Sequence, residues 1–158
     1  MITKDLINES LEYRNGRFFW KAVKRGVRIG EEAGTHDKSG YRCVVIDQKS
    51  YKVHRLIFLL HHGYLPEIID HVNGITDDNR IENLRAATQS QNKSNRGKTK
   101  ANTSGFKGVF KAQKPGKWRA QIKANGKSIG LGQFFNKEDA YKKYLQAAKK
   151  YHGEFAHA

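Results

Sequence analysis

Residues 70–95 read DHVNGITDDNRIENLRAATQSQNKSN. The stretch opens at the end of an apolar run with Asp70 and His71, turns at Asn73-Gly74 and crosses a polar loop to Asn83. A short β-like run at Leu84 to Ala87 follows, and Thr88 with Gln91 three residues on is a capping-box pattern, which predicts a helix carrying Asn92 in its first turns. The predicted order is strand, loop, strand, helix. Its polar residues offer the parts for metal-assisted phosphodiester hydrolysis: a carboxylate for a hard divalent cation and an imidazole to take a proton from water. Asp70 and His71 are strand neighbours, whose side chains ordinarily face opposite ways, so they share a site only if the strand ends or twists there.

Upstream, residues 13–53 hold short β-like runs (Arg17 to Val23, Tyr41 to Ile46, Tyr51 to Val53) punctuated by glycines, which predicts hairpins. His54 to His62 reads as a short helix, since Leu56, Leu59 and Leu60 share one face and Gly63 is a natural stop. Downstream, residues 97–103 are a basic, apolar-poor linker between two small domains, 1–96 and 104–158. Beyond it Val109 to Gln113, Trp118 to Ala124 and Lys127 to Phe134 are predicted strands, the last two joined by the hairpin signal Asn125-Gly126. Residues 137–151 carry Ala140, Tyr144, Ala147, Ala148 and Tyr151 at helical spacing, so one amphipathic helix is predicted across a three-stranded antiparallel sheet. The fold class is α+β.

Charge divides the same way. Residues 1–92 hold 14 Lys and Arg against 12 Asp and Glu, a net +2; residues 93–158 hold 16 against 3, a net +13. A field of that density suits a polyanion as partner. The one cysteine, Cys43, excludes an intrachain disulfide and a cysteine-built zinc site. The longest apolar run, Leu56 to Leu60, is too short for a membrane span, and Asp5 and Glu9 stand where a signal peptide would be apolar.

Bland readings apply to several polar residues. His54 is expected to be a hydrogen-bonded structural histidine, and His61 and His62 to be solvated at a helix end. Asp77 and Asp78 are explained by turn chemistry. Arg55 and Arg85 are candidate phosphate contacts, although Arg85 suits an acidic neighbour on the fold equally well.

With VHRL at 53–56, DHVNG at 70–74, DNRIENLR at 78–85 and QSQNKSN at 89–95, the chain resembles HNH nucleases of the homing-endonuclease kind. The resemblance implies a ββα-metal fold in which His71 is the general base, Asp70 and Asn92 ligate a single divalent ion (Mg²⁺ or Mn²⁺), and Asn83 orients the histidine. It also implies 5′-phosphate and 3′-hydroxyl ends, double-stranded DNA as partner, and a phage-infected or bacterial cytoplasm. Residues 104–156 resemble the DNA-binding domain of plant ethylene-response factors, whose sheet lies in the major groove. Trp118, Ala120 and Ile122 then face the helix, and Arg119, Gln121 and Lys123 face DNA. Lys107, Phe110 and Ser128 match contacting positions, and Tyr144 matches a backbone-contacting tyrosine. Phe110 replaces an arginine of plant members and Gly130 a groove-facing tryptophan, so their target sequence does not transfer. With no heptads or long apolar stretch, a monomer that nicks one strand is expected, with no membrane or protein partner. The rival readings are a DNA-binding regulator with an inactive nuclease part and an RNA-directed binder or nuclease.

Overall fold

The computed structural model describes residues 2–21, 27–99 and 101–156. The chain forms two compact units, Met1–Ala87 and Thr88–Ala158. The predicted strand from Arg17 to Val23 lies partly outside the described residues. Among those described, no helix is long and apolar enough to cross a membrane.

The first unit begins with α1 (Lys4–Ser10), which the sequence reading did not anticipate. Thr3 caps it, its hydroxyl accepting from Leu6 N, and Asp5 in the first turn suits the positive end of the helix dipole. Strands β1 (Leu11–Arg14) and β2 (Arg17–Trp20) make a hairpin closed by Asn15-Gly16, both at positive φ. An antiparallel sheet follows from β3 (Thr35–His36), β4 (Arg42–Ile46) and β5 (Lys49–Lys52), in the order β3-β4-β5. Helix α2 (Val53–His62) buries Leu56, Ile57, Phe58 and Leu59 and ends at Gly63, whose amide donates to Leu59 O. With Ile7, Leu11, Phe18, Val44, Ile46, Ile69 and Leu84 these residues form one apolar core. Burying each large side chain contributes about 1.5–3 kcal/mol, so this core is what anchors the ensuing hairpin.

That hairpin pairs β6 (Ile68–His71) with β7 (Leu84–Ala87), with Asp70 opposite Arg85 and His71 opposite Leu84. Between them lies the polar loop and one 3₁₀ turn, Ile81–Asn83.

The second unit opens with α3 (Gln89–Asn95), which carries the predicted capping box in full. Its sheet is built from β8 (Val109–Lys111), β9 (Trp118–Ala124) and β10 (Lys127–Phe134) in the order β10-β9-β8, all antiparallel, with a bulge between Gly130 and Gly132. Helix α4 (Lys137–His152) packs Ala140, Tyr144, Ala147 and Ala148 against Val109, Ala120 and Ile122. Glu138 and Asp139 at its start and Lys149 and Lys150 at its end oppose its dipole with the favourable sign.

Gly108 is the tightest point of this packing. It sits at φ +72°, and a Cβ there would lie 2.1 Å from Tyr144 Cδ2 and 2.8 Å from Gln121 O. Gly108→Ala is therefore expected to destabilise the second unit by about 1–3 kcal/mol through overpacking and backbone strain. Thermal unfolding followed by tryptophan fluorescence should show the transition that reports on Trp118 moved several degrees lower.

Candidate nuclease site and basic cleft

Strand β6 ends at His71, and Gly74 N donates back to His71 O to close the turn. Asp70 and His71 are both buried, at 4% and 5% exposure. Asp70 Oδ2 receives Arg85 Nε at 2.9 Å, with Arg85 Nη2 also 2.9 Å away. Arg85 is thus held by the acidic neighbour across the strand pair. Removing one member of so enclosed a pair costs about 3–5 kcal/mol, because the other is left charged and buried.

His71 has a different setting. Its Nε2 lies 3.0 Å from Asn79 Oδ1, and Asn79 is 2% exposed. Asn79 directs its amide nitrogen to Asp77 O at 3.4 Å, so its oxygen is the end that faces the ring. An amide oxygen only accepts, which makes Nε2 the protonated nitrogen and leaves the lone pair on Nδ1. The sequence reading passed over Asn79. Its signal was available in hindsight: an asparagine eight residues beyond a histidine, inside a loop already rich in turn formers.

Asn83, expected to orient the histidine, has its side chain committed to the loop. Its Oδ1 accepts from Asn73 N at 3.0 Å, while its Nδ2 donates to Asn73 Oδ1 at 3.0 Å and to Asp78 O at 2.7 Å. Asn73 in turn donates to Asp78 Oδ2 at 2.7 Å. Asn83 therefore stitches both ends of the loop that carries Asn79.

Asp77 does more than make a turn. Its carboxylate meets His36 Nε2 at 2.8 Å, Arg42 Nε at 3.3 Å and Arg17 Nη2 at 3.3 Å, and Glu32 bridges the two arginines at 2.6 and 2.7 Å. Partial burial raises its pKa, but the hydrogen bonds from His36 and Arg42 and the charges of Arg42 and Arg17 outweigh that and hold it below the usual carboxylate range. The Asn15-Gly16 turn braces the same loop, since a Cβ on Gly16 would come within 2.7 Å of Arg80 N. The N-terminal hairpins thereby fix the backbone that presents Asn79 to His71.

The remaining histidines and Arg55 sort themselves by contact. Arg55 donates to Glu67 O and Pro66 O at 3.2 Å each, pinning the chain that enters β6. His61 and His62 are exposed and lie against Tyr13 and Phe58. His54 is buried, and its Nδ1 has no hydrogen-bond partner, which departs from the expected hydrogen-bonded histidine.

Among the described residues no three His, Cys, Asp or Glu side chains gather into a metal cage. A magnesium ion does not require one, being commonly held by one or two carboxylates with water and substrate phosphate. The chemistry of Asp70 fits a hard ion, since a carboxylate offers oxygen donors with lone pairs enough to serve both Arg85 and a cation. Asn92, expected as the other ligand, is half-buried on α3 in the second unit.

In the second unit, a cleft of about 450 Å³ is lined by Lys93, Lys107, Gln121, Lys123, Tyr144 and His152 among others, with no acidic residue. Lys107 is half-buried, donates from Nζ to Ser94 O at 2.6 Å, and has its pKa lowered by that burial. Tyr144 is 3% exposed, and burial pushes its hydroxyl up to about 12. Its ring belongs to the helix–sheet core, and the residue also lines this cleft. Strand β9 alternates as expected: Ala120 and Ile122 face the core, Arg119 and Lys123 are exposed, and Gln121 is half-buried. Phe110 is exposed beneath the Arg119 guanidinium, 5.4 Å from its ring centre, and Ser128 is exposed on β10.

Residues 51–94 match the family model described as HNH endonuclease. Over 122 residues the chain is 33% identical to an uncharacterized HNH endonuclease of Acanthamoeba polyphaga mimivirus, covering 75% of this chain and 62% of that protein. Over 109 residues it is 29% identical to protein 3.8 of Escherichia phage T7, covering 69% of each. The chain thus spans less than two thirds of the mimivirus relative. No solved structure gives a significant match. The matched segment runs from the end of β5 through α3 and contains Asp70, His71, Asn79, Asn83 and Asn92. The chain carries an HNH endonuclease domain at residues 51–94.

Proposed function

We propose that this protein is a divalent-metal-dependent endonuclease of double-stranded DNA in which His71 is the general base. The observation that carries the reading is the bond from His71 Nε2 to Asn79 Oδ1, because it leaves Nδ1 as the basic nitrogen of a neutral imidazole. That nitrogen takes a proton from water as the water oxygen attacks phosphorus, and the P–O3′ bond breaks to leave a 5′-phosphate and a 3′-hydroxyl. Asp70 and Asn92 are the proposed holders of one Mg²⁺ or Mn²⁺ ion, which when bound supplies positive charge to the scissile phosphate and the departing oxygen. Arg85 orients the Asp70 carboxylate. Asn83 acts on His71 through the loop it closes.

Residues 104–158 are the proposed DNA-reading module, with Phe110, Arg119, Lys123 and Ser128 as the exposed reading face. The +13 charge of residues 93–158 supports this, as does the acid-free lining of the cleft around Lys107 and Gln121. One catalytic set in one chain of fixed polarity suits a monomer that nicks a single strand.

Supercoiled plasmid incubated with the protein and Mg²⁺ should accumulate open circles before linear DNA. His71→Ala should cut about 10²–10⁴-fold more slowly while binding DNA with unchanged affinity in a gel-shift assay; parental cutting by this variant would remove His71 from the chemistry. Asn79→Ala leaves a buried N–H unpaired and is expected to cost about 1–3 kcal/mol of stability. Nitrogen-15 NMR should then show His71 redistributed between its two neutral tautomers, where the parent shows the Nε2-protonated form alone. Raising salt from 50 to 200 mM should weaken DNA binding steeply, with Arg119→Ala losing preference at one base position and Lys143→Ala, exposed on the outer face of α4, changing little.

A further inference from the structure

His54 stands in the first turn of α2, 6% exposed, and its Nδ1 is buried with no hydrogen-bond partner. Its ring centre lies 5.2 Å from that of His71, edge to face at 64°. Tyr41 lies against both, 5.1 Å from His54 and 6.1 Å from His71, and Lys52 Nζ caps the Tyr41 ring at 4.2 Å.

Packing does not account for an imidazole here. A phenylalanine would fill a similar volume and keep the edge-to-face contact, and it would not bury an unpaired nitrogen. The polar atom is an expense that the folded protein alone does not recover. Enclosure is no obstacle to a role beside His71, since the two rings are shielded to nearly the same degree, 6% and 5%. Burial above all, helped by the positive charges of Lys52 and Arg55, lowers the His54 pKa to about 3, so its ring stays neutral through the ordinary pH range. A neutral imidazole can orient a water molecule without competing for its proton.

We propose that His54 is a second catalytic residue of the nuclease site, binding through Nδ1 the water that His71 deprotonates. This rests on the nuclease reading above. In the step itself the water proton passes to His71 Nδ1, the water oxygen bonds to phosphorus, and the P–O3′ bond breaks. His54 exchanges no proton and forms no bond beyond its hydrogen bond.

The test compares the full-length parent with His54→Phe in single-turnover plasmid cleavage with Mg²⁺, alongside gel-shift binding and thermal unfolding. The expected result is a variant that melts at or above the parental temperature, binds DNA equally, and cuts at least about tenfold more slowly. Equal cutting by parent and variant would overturn the inference and leave His54 a packing residue. A parent that leaves plasmid intact with Mg²⁺ or Mn²⁺ would overturn the nuclease reading and this inference with it. Should the phenylalanine variant unfold early, the parent itself decides. With nitrogen-15 histidine, the His54 Nδ1 resonance should shift when a DNA duplex and Ca²⁺, in place of Mg²⁺ to hold back cleavage, are added. An unmoved resonance, with DNA bound, would refute the contact.

Discussion

The hydrogen bond between His71 Nε2 and Asn79 Oδ1 is the constraint to which the rest of the first unit is subordinate. It joins the last residue of β6 to the middle of the loop that follows, so the loop must hold a fixed path for the ring to hold its tautomer. Two sets of contacts secure that path. From within, Asn73, Asp78 and Asn83 exchange hydrogen bonds across the loop mouth. From outside, Arg17, His36 and Arg42 draw in Asp77. Residues 13–46 lie wholly outside the segment that matches the HNH family, yet they supply this outer clamp. The N-terminal hairpins are thus a positioning device, and their polar faces have a reason that the apolar core does not give.

The cost of this arrangement is visible in where polar side chains are buried. Of the seven buried polar or charged residues described, five lie in this one region: His54, Asp70, His71, Asn79 and Asn83. Each buried polar group must recover its desolvation through hydrogen bonds, at about 1–3 kcal/mol for any left unmade. Asp70, His71, Asn79 and Asn83 recover it within the protein. His54 Nδ1 does not. A domain whose net stability is only about 5–15 kcal/mol concentrates such groups where geometry matters more than stability.

How far the sequence could be read depended on the range of the interaction. Local rules located β7, β9 and β10 at their observed bounds and the Thr88–Gln91 cap of α3, because capping, alternation and the Asn125-Gly126 turn act over a few residues. Helix α1 was missed, since its seven residues bury chiefly Ile7 and show little amphipathic stripe. Motif spacing picked out Asp70, His71, Asn83 and Asn92, but spacing carries no hydrogen bonds. It could not tell that Asn79 would meet the ring, or that Asp77 would be met by residues 35 to 60 positions away. Tyr144 was matched to a DNA contact by resemblance, and its place on the inner stripe of α4, beside Ala140, Ala147 and Ala148, already argued that its ring packs in the core.

Helix α3 shows how sequence family and folding unit can part. The HNH match runs to residue 94 and so includes α3 with Asn92, while the helix packs within the compact unit Thr88–Ala158. Its C-terminal residue Asn95 is buried, and Ser94 O accepts from Lys107 Nζ. Lys107 is one of the residues expected to meet DNA, and it gives up solvent to make that bond, as its lowered pKa records. A phosphate brought to the same ammonium group would compete with, or be shared with, the carbonyl that ends α3. The second unit thus carries two separate features: a +13 charge over residues 93–158 that attracts polyanions at long range, and a direct hold by Lys107 on the end of the helix that carries Asn92. The first falls away with salt. The second, built from buried Asn95 and an enclosed Lys107, does not.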